Sequence, residues 1–173
     1  RLTVMQGLPR TGMPGRVSGW DEYQRTVDVL VNAGVIEDAT KIWWDVRPSH
    51  RFPTLEMRIA DVCTRLDDAV SVAALFLCIC RMLYRLRRTN QNWRMYPVFL
   101  VNENRWRAQR YGVQGTLFDF GKGTLEPFAD LLGEIQTLVA EDAAALGCEA
   151  EVAHASQIVA EGTSADRQVA TYE

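Results

Sequence analysis

The chain has 173 residues, 47% of them hydrophobic, which is enough for one ordinary domain with its own core. A formal net charge of −3 supplies no basic footprint of the kind needed to offset nucleic-acid phosphates. Cys63, Cys78, Cys80 and Cys148 show no CxxC spacing and no nearby pair of histidines, which argues against zinc and against a disulfide framework and fits a reducing, cytoplasmic setting.

Residues 1–17 are rich in Gly and Pro without periodicity and read as a loop leading into the domain, or as a point where the chain was cut or separately encoded. A helix is expected from Ser18 to about Ala33. Ser18 serves as its cap with Asp21 in the reciprocal position, Val27, Leu30 and Val31 form its buried side, and Gly34 is its stop.

Two short runs then alternate with the period of a strand. In residues 42–47, Trp43, Asp45 and Arg47 oppose Ile42, Trp44 and Val46; in residues 54–59, Thr54, Glu56 and Arg58 oppose Leu55, Met57 and Ile59. Pro48 and Pro53 bound the connection and keep it out of the ladder. With Arg47 taken opposite Thr54, Asp45 falls opposite Glu56 and Trp43 opposite Arg58.

A long helix is expected from Leu66 to Arg88, with Thr64 as cap, Asp67 and Asp68 in its first turn and Arg81, Arg85, Arg87 and Arg88 in its last. Its middle is apolar almost all round, so it reads as the central helix, buried on most sides. The apolar run from Ala69 to Cys80, bounded by charge, is shorter than the roughly 20 residues of a membrane span, and no signal peptide precedes it.

The next helix runs from Pro97 to Tyr111 and stops at Gly112. Asn102, Arg105 and Gln109 share one face of it, while Asn104, Arg107 and Tyr111 share another that reads most simply as solvated. Residues 116–126 form a tight hairpin around Gly121-Lys122-Gly123, a simple turn and not a phosphate loop, because the chain returns to a strand. Pro127 opens an amphipathic helix closed by Gly147, a shorter helix follows from Ala150 to Glu161, and Thr163 or Ser164 caps a last helical turn.

Carboxylates on neighbouring strands are costly unless a cation lies between them, so Asp45 with Glu56 suits Mg²⁺. Arg47 and Arg58 beside them suit phosphate or carboxylate oxygens, and together the four resemble the equipment of a phosphoryl-transfer site. The plainer reading is a surface strand pair laced by salt bridges.

Four ordered motifs sharpen this choice. Residues 43–49 (WWDVRPS), 53–58 (PTLEMR) with Asp61, 103–108 (ENRWRA) with Arg110-Tyr111-Gly112, and 162–168 (GTSADRQ) resemble the carboxylate-amine ligase family, glutamate-cysteine ligase type 2, related to glutamine synthetase. The resemblance covers residues 19–172 and only the C-terminal half of that family's length. It implies an α+β fold with antiparallel strands, part of a glutamine-synthetase-like sheet, backed by long helices.

It further implies an ATP- and Mg²⁺-dependent ligation of an amino-acid carboxylate and an amine through an acyl phosphate. Carried over by motif, Glu56 and Asp45 are metal-ligand candidates. Glu56, Arg58, Arg47 and Arg167 are catalytic candidates, and Asn104, Arg105 and Arg58 are cofactor-binding candidates. The partner this implies is the missing N-terminal half or a companion chain, in a homo- or hetero-oligomer without nucleic acid or membrane. The alternative is a non-catalytic partner or regulatory subunit that retains the fold.

Overall fold

A computed structural model describes residues 2–172 and shows an α+β fold, in which helices alternate with three two-stranded sheets. The chain divides into two compact units, Arg1–Asp61 and Val62–Glu173.

In the first unit, residues 2–17 are more structured than their composition suggests. They hold a helical turn, α1 (Leu2–Met5), and a short strand, β1 (Thr11–Gly12). β1 pairs in parallel with β2 (Trp43–Trp44), so Arg10 and Gly12 carbonyls accept from the Trp43 and Asp45 amides, both at 2.8 Å. Local composition could not reveal a pairing made across some thirty residues of chain.

Helix α2 (Trp20–Asn32) is entered through Ser18, whose amide and hydroxyl both donate to Glu22 at 2.6 Å. The reciprocal acid is therefore Glu22 and not Asp21. At its other end the Gly34 amide bonds the Val31 carbonyl and the Val35 amide bonds the Leu30 carbonyl, both at 2.9 Å. That paired closure needs a left-handed residue, and Gly34 takes it at φ 69°. Tyr23 and Val27 of α2 pack on Ile36, Ala39 and Ile42 to make this unit's core.

The 42–47 run is broken at Asp45. Beyond it, β3 (Val46–Pro48) pairs antiparallel with β4 (Leu55–Met57). The register is Arg47 opposite Glu56, not opposite Thr54 as the sequence suggested. The connection closes earlier than assumed, with the Ser49 amide bonding the Thr54 carbonyl at 2.8 Å, and that slides the pairing by two residues and preserves the faces.

In the second unit, α3 (Leu66–Arg88) spans the expected residues. Thr64 does not cap it: its amide and hydroxyl meet the Ser164 hydroxyl at 2.9 and 3.0 Å, and Arg65 is the cap residue. Its buried face is a single stripe of Asp68, Ser71, Ala74, Cys78 and Met82, so it is not enclosed on most sides. At 23 residues it is long and apolar enough to cross a membrane by length and composition.

α4 (Val98–Tyr111) leads into a hairpin of β5 (Thr116–Asp119) and β6 (Thr124–Pro127). The helix expected from Pro127 to Gly147 is two, α5 (Phe128–Leu138) and α6 (Ala140–Leu146), because the backbone bends at Val139. The bend lets Val139 and Ala143 both reach the core with Ala74, Cys78, Met82 and Val152. α7 (Glu149–Glu161) packs along α3, and α8 (Ser164–Tyr172) ends the described chain.

Candidate functional site

Within the first unit, three sequence candidates converge. Arg47 lies buried, and its Nη1 donates to the carbonyls of Ile42, Thr40 and Ala39 at 2.5, 2.9 and 3.3 Å. Those carbonyls are presented by a 3₁₀ turn at residues 39–41, which Asp38 caps by accepting the Thr40 amide at 2.7 Å. With one end of the guanidinium fixed, Nε and Nη2 both reach Glu56 Oε2 at 2.9 Å. Arg58 Nη1 approaches the same oxygen at 3.4 Å.

The guanidinium cations govern the Glu56 carboxyl. Partial burial raises its pKa, but hydrogen bonds from Arg47, Ser49 and Arg58 and the Arg47 charge outweigh that and hold it below the usual carboxylate range. Glu56 is therefore ionised, with its side chain about one-third exposed. The polar face of this strand pair is buried at one part and open at another: Asp45, Arg47 and Ser49 are buried, while Trp43, Thr54 and Arg58 of the same face are exposed and Glu56 lies between. The salt bridges of the plainer reading are present, Arg47–Glu56 and Arg58–Glu56, the first made by a buried guanidinium.

Asp45 sits differently from expectation. It is buried, and its carbonyl accepts the Arg58 and Ile59 amides at 2.8 and 3.0 Å, so two residues of one strand face one of the other. Arg47, not Asp45, stands across from Glu56. No group of three or more His, Cys, Asp and Glu side chains suited to a metal ion occurs among the described residues.

Beside the strand pair is a feature that periodicity gave no hint of, a cavity of about 320 Å³ whose lining includes Tyr23, Asp38, Ser49 and His50. The Tyr23 hydroxyl is buried without a hydrogen-bond partner among the described residues, and burial raises its pKa. Trp20 and Trp44 flank its ring at centroid distances of 5.3 and 6.1 Å.

Two of the remaining candidates, Asn104 and Arg167, serve the second unit's own architecture. Asn104 donates to the Phe118 carbonyl at 2.8 Å and accepts its amide at 2.7 Å, so the side chain acts as a strand partner for β5. Arg107, one turn on, bonds the Thr116 carbonyl at 2.9 Å and hydroxyl at 2.7 Å. The face read as solvated is the one that clamps the hairpin. Arg105 is half-buried. The Gly121-Lys122-Gly123 segment is a simple turn, with Asp119 accepting the Gly121 and Lys122 amides at 2.7 and 3.1 Å.

Arg167 is held by Asp68 through Nη2 and by the Gly162 carbonyl through Nη1 at 2.9 Å. Asp68 also meets His154 Nε2 at 2.9 Å, and the His154 hydrogen bond, followed by Arg167, keeps its carboxyl low in pKa despite burial. The 162–168 motif is thus a helix start: Thr163 caps α8, its amide and hydroxyl both bonded to Asp166 at 2.7 Å. Gly162 precedes it at φ 91°, where an added Cβ would meet that of Asp166 at 3.2 Å.

Comparison with known proteins places these motifs. The family model "Glutamate-cysteine ligase family 2(GCS2)" matches residues 1–173. Relatives provisionally named glutamate–cysteine ligase 2 include one from Rhodospirillum rubrum, 64% identical over 99% of this chain and 44% of its own length. Others come from Jannaschia sp., 55% identical over 100% of this chain and 46% of its own, and from Sorangium cellulosum, 47% identical over 99% and 46%. The chain spans about half the length of the curated relatives it matches. With a family match along its whole length, the chain belongs to glutamate-cysteine ligase family 2.

Proposed function

We propose that this chain is a portion of an ATP- and Mg²⁺-dependent carboxylate-amine ligase of glutamate–cysteine type. The observation that supports the reading is the convergence of Arg47 and Arg58 on one oxygen of an ionised Glu56. In such a ligase a substrate carboxylate attacks the γ-phosphorus of ATP and ADP departs. The amine nitrogen then attacks the acyl carbon, phosphate leaves and the amine loses a proton.

Here Arg47 is a positioning residue that holds Glu56 in one rotamer, ready to offer its outer face. Arg58, two-fifths exposed at its side chain, is placed to meet phosphate oxygens. Bound Mg²⁺ would neutralise phosphate charge, with Glu56 supplying one ligand from this wall and the remaining ligands coming from outside it. Asp45 supports that wall through its backbone and is assigned no more than a supporting place. Arg105 is retained as a nucleotide contact. Asn104 and Arg167, whose side chains are engaged by β5 and by Asp68, contribute by holding their segments in place. Substrates, oligomeric state and a cytoplasmic location belong to the same proposal.

The test uses a full-length protein in which this chain replaces the matching region of the Rhodospirillum rubrum relative. ADP release that needs glutamate, an amine and Mg²⁺, with a hydroxamate formed when hydroxylamine replaces the amine, is the expected result. ATP binding without turnover, or no ATP binding, would favour the non-catalytic partner.

A further inference from the structure

We propose that the outer face of α3 is the seam on which the rest of the ligase polypeptide packs through an apolar helix of its own. The inference rests on the reading of this chain as part of a longer ligase. The face consists of Leu66, Val70, Ala73, Leu77, Cys80 and Tyr84, successive steps of four and three residues that keep to one side of a helix. Leu66, Val70, Leu77 and Tyr84 are 77%, 43%, 53% and 63% exposed.

The opposite stripe, from Ser71 through Ala74 and Cys78 to Met82, already fills the second unit's core. α3 therefore carries two apolar faces and uses one. Only 22% of its most apolar 18-residue window is buried, and a helix that is apolar all round is ordinarily enclosed.

Length identifies the occupant. The relatives are more than twice as long as this chain, which covers 44–46% of them, so more polypeptide lies outside the chain than within it. The seam runs for about five turns, roughly 27 Å at 1.5 Å per residue, the reach of one ordinary helix. No charge interrupts it between Ala69 and Cys80, while Asp67 is exposed at one end and Arg87 and Arg88 at the other. The complementary helix is apolar along its centre, basic near Leu66 and acidic near Tyr84. Lipid is the less suitable cover, because the same helix buries Asp68 and, through Arg81 and Arg85, pairs with the buried Asp142.

Hydroxyl-radical footprinting of Leu66, Leu77 and Tyr84 tests this, comparing the 173-residue chain with the full-length chimaera, or with the relative's remaining segment added in trans. Modification is expected to fall several-fold when the remainder is present, at every protein concentration. Leu77→Glu is expected to leave the melting temperature of the 173-residue chain unchanged and to lower that of the chimaera. Equal modification in both forms would overturn the proposal. So would protection that grows with concentration of the short chain alone, which marks a second copy, or protection given only by phosphatidylcholine–phosphatidylglycerol vesicles, which marks a membrane. The readout needs no turnover: an inactive chimaera with a protected seam contradicts the ligase reading alone, and an active one with an exposed seam contradicts this inference alone.

Discussion

Arg47 places both Nε and Nη2 within 2.9 Å of Glu56 Oε2 while its third nitrogen is spent on backbone carbonyls. The arrangement costs desolvation of a guanidinium, so removing either partner has unequal effects. Arg47→Met strands the carbonyls of Ala39, Thr40 and Ile42 in a buried place and leaves Glu56 without its main cation. A loss of about 3 kcal/mol is expected in urea denaturation. Glu56→Gln keeps size and hydrogen-bonding capacity and is expected to cost much less.

The acid limb of stability follows from Asp142. Hydrogen bonds from Arg85 and then Arg81 overcome burial and depress its pKa in the folded chain, so the pair's contribution is fully present above the ordinary carboxylate value near 4 and is lost as pH falls through the lower folded value. Asp142→Asn is expected to lower stability at pH 7 on the order of 2 kcal/mol, because two arginines lose a buried counter-charge. It is also expected to flatten the stability profile below pH ~4, seen by thermal melts across pH.

Asn104→Leu separates architecture from ligand binding. The substitution removes two hydrogen bonds and leaves the Phe118 amide and carbonyl unpaired, a cost of about 2 kcal/mol. Hydrogen exchange at residues 116–119 is expected to accelerate ahead of exchange in α3. Unchanged exchange in the hairpin would show that the clamp is not needed.

Cys78 is expected to resist alkylation in the folded chain. Burial first, and then the neighbouring Cys148 sulfur at 3.5 Å, push its thiol up to about 11. At pH 7.5 thiolate is scarce and the reagent has no access. Iodoacetamide labelling read by mass spectrometry should modify Cys78 last and release it on unfolding in urea.

Apolar patterning together with terminal Pro, Gly and charge signals located several elements well. α3, α4 and the 116–127 hairpin fall where spacing and the Pro and Gly signals put them. It could not say which face lies inside, because alternation labels two sides of a strand without ranking them. Asp45 and Arg47 went inward because the carbonyls of residues 39–42 satisfy the guanidinium, a partnership formed by a turn. The depth of Asp68 and Asp142 was equally hidden, since their partners lie on other helices. The motif match singled out Glu56 and Arg58, which lie 3.4 Å apart in the structure, but could not tell that Asn104 and Arg167 are occupied within their own unit.

The central claim is that the Arg-held Glu56 carboxylate is part of a ligase site. Its most direct measurement is Mg²⁺-dependent ADP release by the full-length chimaera carrying Glu56→Gln, with the melting temperature recorded on the same sample. The expected result is turnover reduced at least about a hundredfold, with melting little changed, as for loss of a group that acts on charge in the transition state. Turnover equal to that of the unsubstituted protein would contradict the account.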